Sequence, residues 1–202
     1  MKLKASLFII LIPLAFGPGT AAAGVETGAK APDFTLTDTN GTAHSLSDFE
    51  GNYVVLEWLN HNCPFVKKHY GAGNMQALQK RWRDKGIVWL SINSSHPDHR
   101  DYKTVTVANK LTEDAKAAPT AVLMDEDGNV GKMYGAKTTP HIFIIDPSGE
   151  LIYQGAIDSI SSANPKDIAK ADNYVNQVLT ASRAGESIPV TDTRPYGCSV
   201  KY

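Results

Sequence analysis

Only two cysteines, Cys63 and Cys198, occur in 202 residues, which excludes a disulfide-dense scaffold and a metal centre built on paired cysteines. Long apolar runs are equally scarce. The one such run, Leu3 to Phe16, carries Lys4 and is interrupted by Pro13, so it falls short of the roughly 20 apolar residues that a membrane span requires. Charge of one sign is missing too. Twenty basic residues oppose 21 acidic ones, for a net charge of −1, and no basic block stands out, which argues against a nucleic-acid partner. There is no internal repeat and no low-complexity segment.

The chain begins with features of an export signal. Lys2 and Lys4 supply a positive start, Leu7 to Leu14 an apolar centre, and Ala21-Ala22-Ala23 a small-residue cleavage site. An uncleaved anchor is the alternative. Cleavage leaves a mature chain starting near Gly24 with no membrane span, exported to the periplasm or secreted, and with 18 basic against 21 acidic residues. The remaining length suits one domain with a single core. The expected division is a signal at 1–23, a domain at 24–184 and a tail at 185–202 that carries Cys198, with two prolines and no periodicity.

Within the domain, Pro32 to Leu46 alternates apolar and polar residues around Asn40-Gly41, the signature of a hairpin. Tyr53 to Leu59 and Ile87 to Ile92 are short apolar runs on either side of a helical pattern from Pro64 to Gly86, loosened at Gly71 and Gly73. Strand, helix and strand in that order predict a parallel pair. The polar stretch Asn93 to Asp101, with His96 and His99, is then a loop at a strand's carboxyl end, where α/β sheets place their sites. Lys103 to Lys116 has weak helical character, Thr120 to Met124 reads as a strand, and Val130 to Tyr134 as one helical turn. Ile142 to Asp146, a Pro-Ser-Gly turn and Leu151 to Gly155 predict an antiparallel hairpin. A final helix is expected from Asn164-Pro165 to Arg183, capped by the asparagine.

A strand ending in Trp58, a cysteine at the start of the next helix, and Thr138-Thr139-Pro140 leading into a hairpin together resemble the thioredoxin-like superfamily. Ala31-Pro-Asp-Phe-Thr-Leu36 is similar to the opening of its redoxin group, which includes peroxiredoxins and thiol-disulfide oxidoreductases. Cys63-Pro-Phe-Val-Lys67 and Gly197-Cys-Ser-Val-Lys-Tyr202 resemble a peroxiredoxin-like branch with its site on a C-N-H-C-P segment. The likeness runs from about Ala31 to Arg183. It implies an α/β fold with a central mixed sheet flanked by helices and an N-terminal hairpin extension. It also implies that Thr139-Pro140 forms a cis-proline loop that lies against the reactive cysteine and offers backbone to an extended substrate.

One departure limits the analogy. Thioredoxins use C-x-x-C, whereas the equivalent stretch here is Asn60-His61-Asn62-Cys63. Asn60 replaces the attacking cysteine of thioredoxins, so dithiol exchange within one motif is excluded. In peroxiredoxins the peroxidatic cysteine takes the second position, that of Cys63, after a threonine or serine that Asn60 is not.

A cysteine attacks as thiolate, and a helix N-terminus stabilises that anion, which is where Cys63 before Pro64 would sit. His61, Lys67 or Lys68 could add positive charge. Cys198 in the tail could resolve a sulfenic acid formed on Cys63. The expected reaction is therefore redox exchange with a peroxide or a protein or small-molecule disulfide, with an external thiol as reductant. The alternative is a non-catalytic binding or structural domain with a permanent Cys63–Cys198 bridge, worth about 4–5 kcal/mol in the chain-entropy model. His61, His69, His96 and His99 with Cys63 match no closed ligand set, so no metal or other cofactor is expected.

Overall fold

The computed structural model of the protein describes residues 24–202; the predicted export signal lies outside the described residues. In chain order the strands and helices are β1 (Thr35–Asp38), β2 (Ala43–Ser45), β3 (Val54–Trp58), α1 (Pro64–Gly71), α2 (Asn74–Arg83), β4 (Val88–Asn93), α3 (Val105–Asp114), β5 (Ala121–Met124), α4 (Asn129–Tyr134), β6 (Thr138–Thr139), β7 (His141–Ile145), β8 (Leu151–Gly155), α5 (Tyr174–Ala184) and β9 (Cys198–Ser199). Short 3-10 helices cover Leu46–Phe49 and Pro165–Lys170. Seven strands form one sheet in the order β2-β1-β5-β4-β3-β7-β8, and β6 pairs with β9 apart from it. β3, β4 and β5 run parallel, while β7 and β8 and the β1–β2 hairpin are antiparallel, so the sheet is mixed. The architecture is the thioredoxin-like one that the sequence predicted.

The alternation of β3 explains how the core divides. Val54, Leu56 and Trp58 point to one face, where they meet Phe34, Leu90, Ile92, Leu123, Tyr134 and Phe143. Val55 points to the other and joins Met75, Leu78, Trp82, Trp89, Ile144 and Val178. Every residue of β3 is buried, as expected for a central strand covered on both sides. Glu57 also points to the second face and is fully buried. Its carboxyl accepts hydrogen bonds from Tyr70 at 2.8 Å, Trp89 at 2.8 Å, Ser91 at 3.1 Å and Gln79 at 3.2 Å. Burial pushes this carboxyl above the usual range, against the opposing pull of those donors.

Two helical expectations change in detail. The expected helix after Pro64 is two helices, because Ala72 ends α1 and Gly73 caps α2 at φ 73°, a left-handed conformation open to glycine. The expected final helix from Asn164 also divides. Asn164 does cap a turn, its side chain accepting from the Lys166 amide at 3.1 Å, but that 3-10 turn buries no residue and has no core face to extend along. Asn173 caps again, accepting from the Asn176 amide at 2.9 Å, and α5 begins there.

The tail, in which the sequence shows no period, is packed against the domain. Gln154 on β8 exchanges backbone hydrogen bonds with Thr191 at 3.0 Å and Thr193 at 3.1 Å. Gly155 admits this approach, since a Cβ there would lie 2.1 Å from the Thr193 hydroxyl. The order comes from pairing and close approach, which a periodicity search does not detect.

Replacing Glu57 with glutamine puts an amide donor among four donors, and the expected loss is about 1–3 kcal/mol. Urea unfolding of Glu57→Gln should show a lower midpoint at an unchanged slope; an unchanged midpoint would mean that the carboxylate is not a structural acceptor.

Candidate functional site

Cys63 stands at the junction of β3 and α1. After Trp58 the chain leaves the sheet and closes a turn in which the Cys63 amide donates to the Asn60 carbonyl at 3.0 Å. The Asn60 side chain reinforces the turn by accepting from the Asn62 amide at 2.8 Å. Cys63 is the N-cap of α1 and Pro64 its first helical residue. Proline suits that place because its missing N–H would have no helical partner. The cap position gives the sulfur access to the amides of Phe65 and Val66, which a helix start leaves unpaired.

The opposite wall is the loop that joins β6 to β7. The Thr139–Pro140 peptide bond is cis, and the Cys63 thiol donates to the Thr139 carbonyl at 2.9 Å. On the far side of Thr139 lies the tail. β9 pairs antiparallel with β6, setting Thr139 opposite Cys198 and Thr138 opposite Ser199. Two cysteines 135 residues apart in sequence thereby become neighbours, both as free thiols. Cys63 is buried, at 2% exposure, and Cys198 is half-buried.

The two thiols are driven apart in acidity. Burial raises the Cys63 thiol, but the polar groups near its sulfur, first the Cys198 thiol and then the amides of Val66, Cys198 and Phe65, outweigh it and hold Cys63 below the usual thiol range. Cys198 moves the other way, to about 11, through burial, its hydrogen bond to Cys63 and the charge that Cys63 carries, with Lys201 opposing. Such an arrangement makes Cys63 the more acidic thiol of the two, the one from which a nucleophilic thiolate forms more readily.

The residues expected around Cys63 divide into a supporting group and a remote one. Asn60, Asn62, Pro64, Thr139 and Pro140 shape its two walls. Asp101, from the loop after β4, ties the first wall down: its carboxylate accepts from Asn62 at 2.8 Å and Asn60 at 3.4 Å. The hydrogen bond from Asn62, chiefly, holds Asp101 below the usual carboxyl range. His61 does not supply positive charge. Burial first, and Lys103 second, lower its pKa to about 4, and its Nδ1 has no hydrogen-bond partner among the described residues.

Lys68 is also turned away, its ammonium paired with Asp158 at 3.1 Å in a buried cluster with His69 and Tyr196. Lys67 is exposed. His141 is buried against Phe143, with ring centroids 4.4 Å apart, and accepts from the Lys137 amide. His96 and His99 remain on the loop that carries Asp101. Among the described residues, no group of three histidine, cysteine or acidic side chains is placed to hold a metal ion, and no helix is long and apolar enough to cross a membrane.

Asp101 and Tyr196 are site residues that the sequence reading does not single out, and Gly197 enters it only as part of the Gly197–Tyr202 segment. Asp101 ended a segment singled out for its place at a strand's carboxyl end, so its position was the available signal. Tyr196-Gly197 directly precedes Cys198, but its role depends on where the tail docks.

Comparison with known proteins gives the chain's family and the proteins whose fold it shares. A model of the AhpC/TSA family matches residues 27–154. The chain is 29% identical over 163 residues to the thiol-disulfide oxidoreductase ResA of Bacillus subtilis, covering 75% of this chain and 86% of that protein. Among solved structures, an uncharacterised conserved protein of Geobacillus kaustophilus superposes with a TM-score of 0.74 at 26% identity, over 88% of this chain and 92% of that one. A DsbE described as a putative thiol:disulfide interchange protein, from Chlorobium tepidum, superposes with a TM-score of 0.54 at 27% identity, over 65% of this chain and 85% of that one.

The divergent thiols should titrate in two separate steps, followed by ultraviolet thiolate absorbance against pH. The lower midpoint should fall below the ordinary thiol value of about 8.5 and the upper one above it. Cys198→Ala should abolish the upper step and raise the lower; Cys63→Ala should abolish the lower step and reduce the upper. A single step near the ordinary value would contradict the split in acidity between the two thiols.

Proposed function

We propose a function on one premise: the chain belongs to the AhpC/TSA family. Its fold is that of thiol-disulfide oxidoreductases, and in our reading the chain is an exported thiol-dependent oxidoreductase in which Cys63 attacks and Cys198 resolves. The observation that carries this is the placement of two free thiols on either side of Thr139: Cys63, at the N-cap of α1, meets its carbonyl, and Cys198 stands opposite it across the β6–β9 pair. The export part rests on the character of residues 1–23.

With a peroxide, the Cys63 thiolate takes the distal oxygen, the O–O bond breaks, and the leaving alkoxide or hydroxide is protonated. The Cys198 sulfur then attacks the Cys63 sulfenic acid, the S–S bond forms and water departs. With a disulfide, the thiolate displaces one sulfur to form a mixed disulfide, and Cys198 attacks Cys63 to release the second thiol. Either route ends in a Cys63–Cys198 disulfide, and two electrons from an external thiol restore the pair. Asn60 does not replace a chemical participant on this route, since the second sulfur comes from Cys198. Asn60, Asn62 and Asp101 hold the turn, and Thr139 supplies the carbonyl facing the attacking sulfur.

A second reading, a static bridge in a non-catalytic domain, is favoured by one fact, the 2% exposure of Cys63. Activity separates the two. Purified mature protein given a limiting dose of hydrogen peroxide should consume it rapidly in wild type. The Cys63→Ser variant should lose all rapid consumption, and Cys198→Ser should stop after one equivalent with a sulfenic acid on Cys63. Equally slow consumption in all three versions would exclude the peroxide route, and the same outcome with a small disulfide in place of peroxide would exclude the enzyme.

A further inference from the structure

A third element closes the site, the last seven residues. Thr139 and Thr138 face Cys198 and Ser199 in the β6–β9 pair, and the Val200 amide extends the pairing to the Lys137 carbonyl at 3.2 Å. The backbone edge beside Cys63 is thus taken by the chain's own tail. An extended polypeptide seeking that edge as an added strand would compete with β9 for the same hydrogen bonds.

The seating is built for close contact. Gly197 lies at φ 139°, and a Cβ on it would sit 2.0 Å from the Thr139 carbonyl oxygen, so only glycine allows the segment to reach this depth. On one side of Cys198, the buried Tyr196 hydroxyl donates to Asp158 and meets His69 at 3.1 Å, while its ring lies 5.7 Å from that of Phe65. On the other side, the Tyr202 hydroxyl donates to the Ala136 carbonyl at 2.7 Å. Its ring covers the bare start of α4, where a Cβ on the capping Gly128 or on Gly131 would come within 2.4 or 2.6 Å of it. The His96 amide donates to Lys201 at 2.9 Å. Two aromatic anchors therefore bracket Cys198, and two glycines receive the second of them.

Building on the thiol oxidoreductase reading, we propose that Tyr196–Tyr202 is a specificity strap: seated on Lys137–Thr139, it closes Cys63 to polypeptide disulfides and leaves it to oxidants small enough to reach the sulfur without unseating β9. A folded or extended protein disulfide carries backbone on both sides of its sulfurs and needs the occupied edge. A hydroperoxide or a short disulfide has no such requirement.

The test uses the full mature chain with Cys198→Ser, so that Cys63 is the sole thiol and the strap is retained. Loss of the Cys63 thiol is followed with insulin as the polypeptide disulfide and hydroxyethyl disulfide as the small one. Adding Gly197→Ala, which forces β9 off Thr139, should raise the insulin rate by about tenfold or more, the factor given by ~1.4 kcal/mol of lost closure, and the small-disulfide rate by less than about threefold. Tyr202→Ala removes an anchor without introducing a clash and should act in the same direction, which keeps the test valid if Gly197→Ala fails to fold. Equal acceleration of both probes, or a strapped protein that reacts with insulin as fast as with hydroxyethyl disulfide, would overturn the filter while leaving the oxidoreductase reading intact. A Cys63 that reacts with neither probe nor hydrogen peroxide in any version would overturn both.

Discussion

The hydrogen-bonded contact between Thr139 and Cys198 joins segments 59 residues apart, and most of what distinguishes this site follows from it. Thr139 ends the short strand that leads into the cis-proline loop, and its carbonyl faces the Cys63 sulfur. Cys198 stands across the pair from it. One backbone register therefore fixes the position of the second thiol relative to the first. The register also places donors around Cys63, because the Cys198 thiol and amide join those of the α1 N-terminus. Without that pairing, Cys63 would be a buried thiol at a helix cap, with desolvation opposing its ionisation.

The sheet supplies rigidity beneath this contact. β3 and β7 run side by side with Trp58 opposite His141, so the turn carrying Cys63 and the loop carrying Thr139 emerge from adjacent strands at the same edge. Trp58 is fixed from below by its indole hydrogen bond to Ser94 at 2.9 Å, and Ser94 in turn donates to Asp125. Asp125 also accepts from the amides of Val130 and Gly131 at the start of α4, the helix on which Tyr202 rests. The floor of the site and the far anchor of the tail are thus held by one polar chain. A site that must hold two sulfurs in register gains from such support, since small displacements weaken both hydrogen bonding and attack.

Much of this was legible in the amino acids. The unbroken apolar run of β3, the cysteine followed by proline, the Thr-Thr-Pro before an alternating hairpin and the Asn-Gly turn each carry a local physical signal, and each forms the element expected of it. What was not legible depends on distant approach. Gly155 gives no sign in sequence that the tail will lie against it, nor Gly197 that it will press against Thr139, and Tyr202 reads as a terminal residue until Gly128 and Gly131 are seen beneath its ring. The roles of charged residues were equally hidden. His61 looked like a cation beside a thiol but is kept neutral by burial, and Lys68 serves Asp158 instead. The helix boundaries at Ala72 and Asn173 shifted because caps and core contacts, rather than residue spacing, ended those helices.

The central claim is that Cys63 and Cys198 form a working redox pair rather than a staple or two unconnected thiols. Equilibration of the oxidised mature protein against defined thiol-disulfide buffers measures it directly. The account predicts a single intramolecular disulfide between these residues with a reduction potential above about −300 mV, in the range of bonds that exchange. A bridge well below that value, or no intramolecular bond on oxidation, would contradict it.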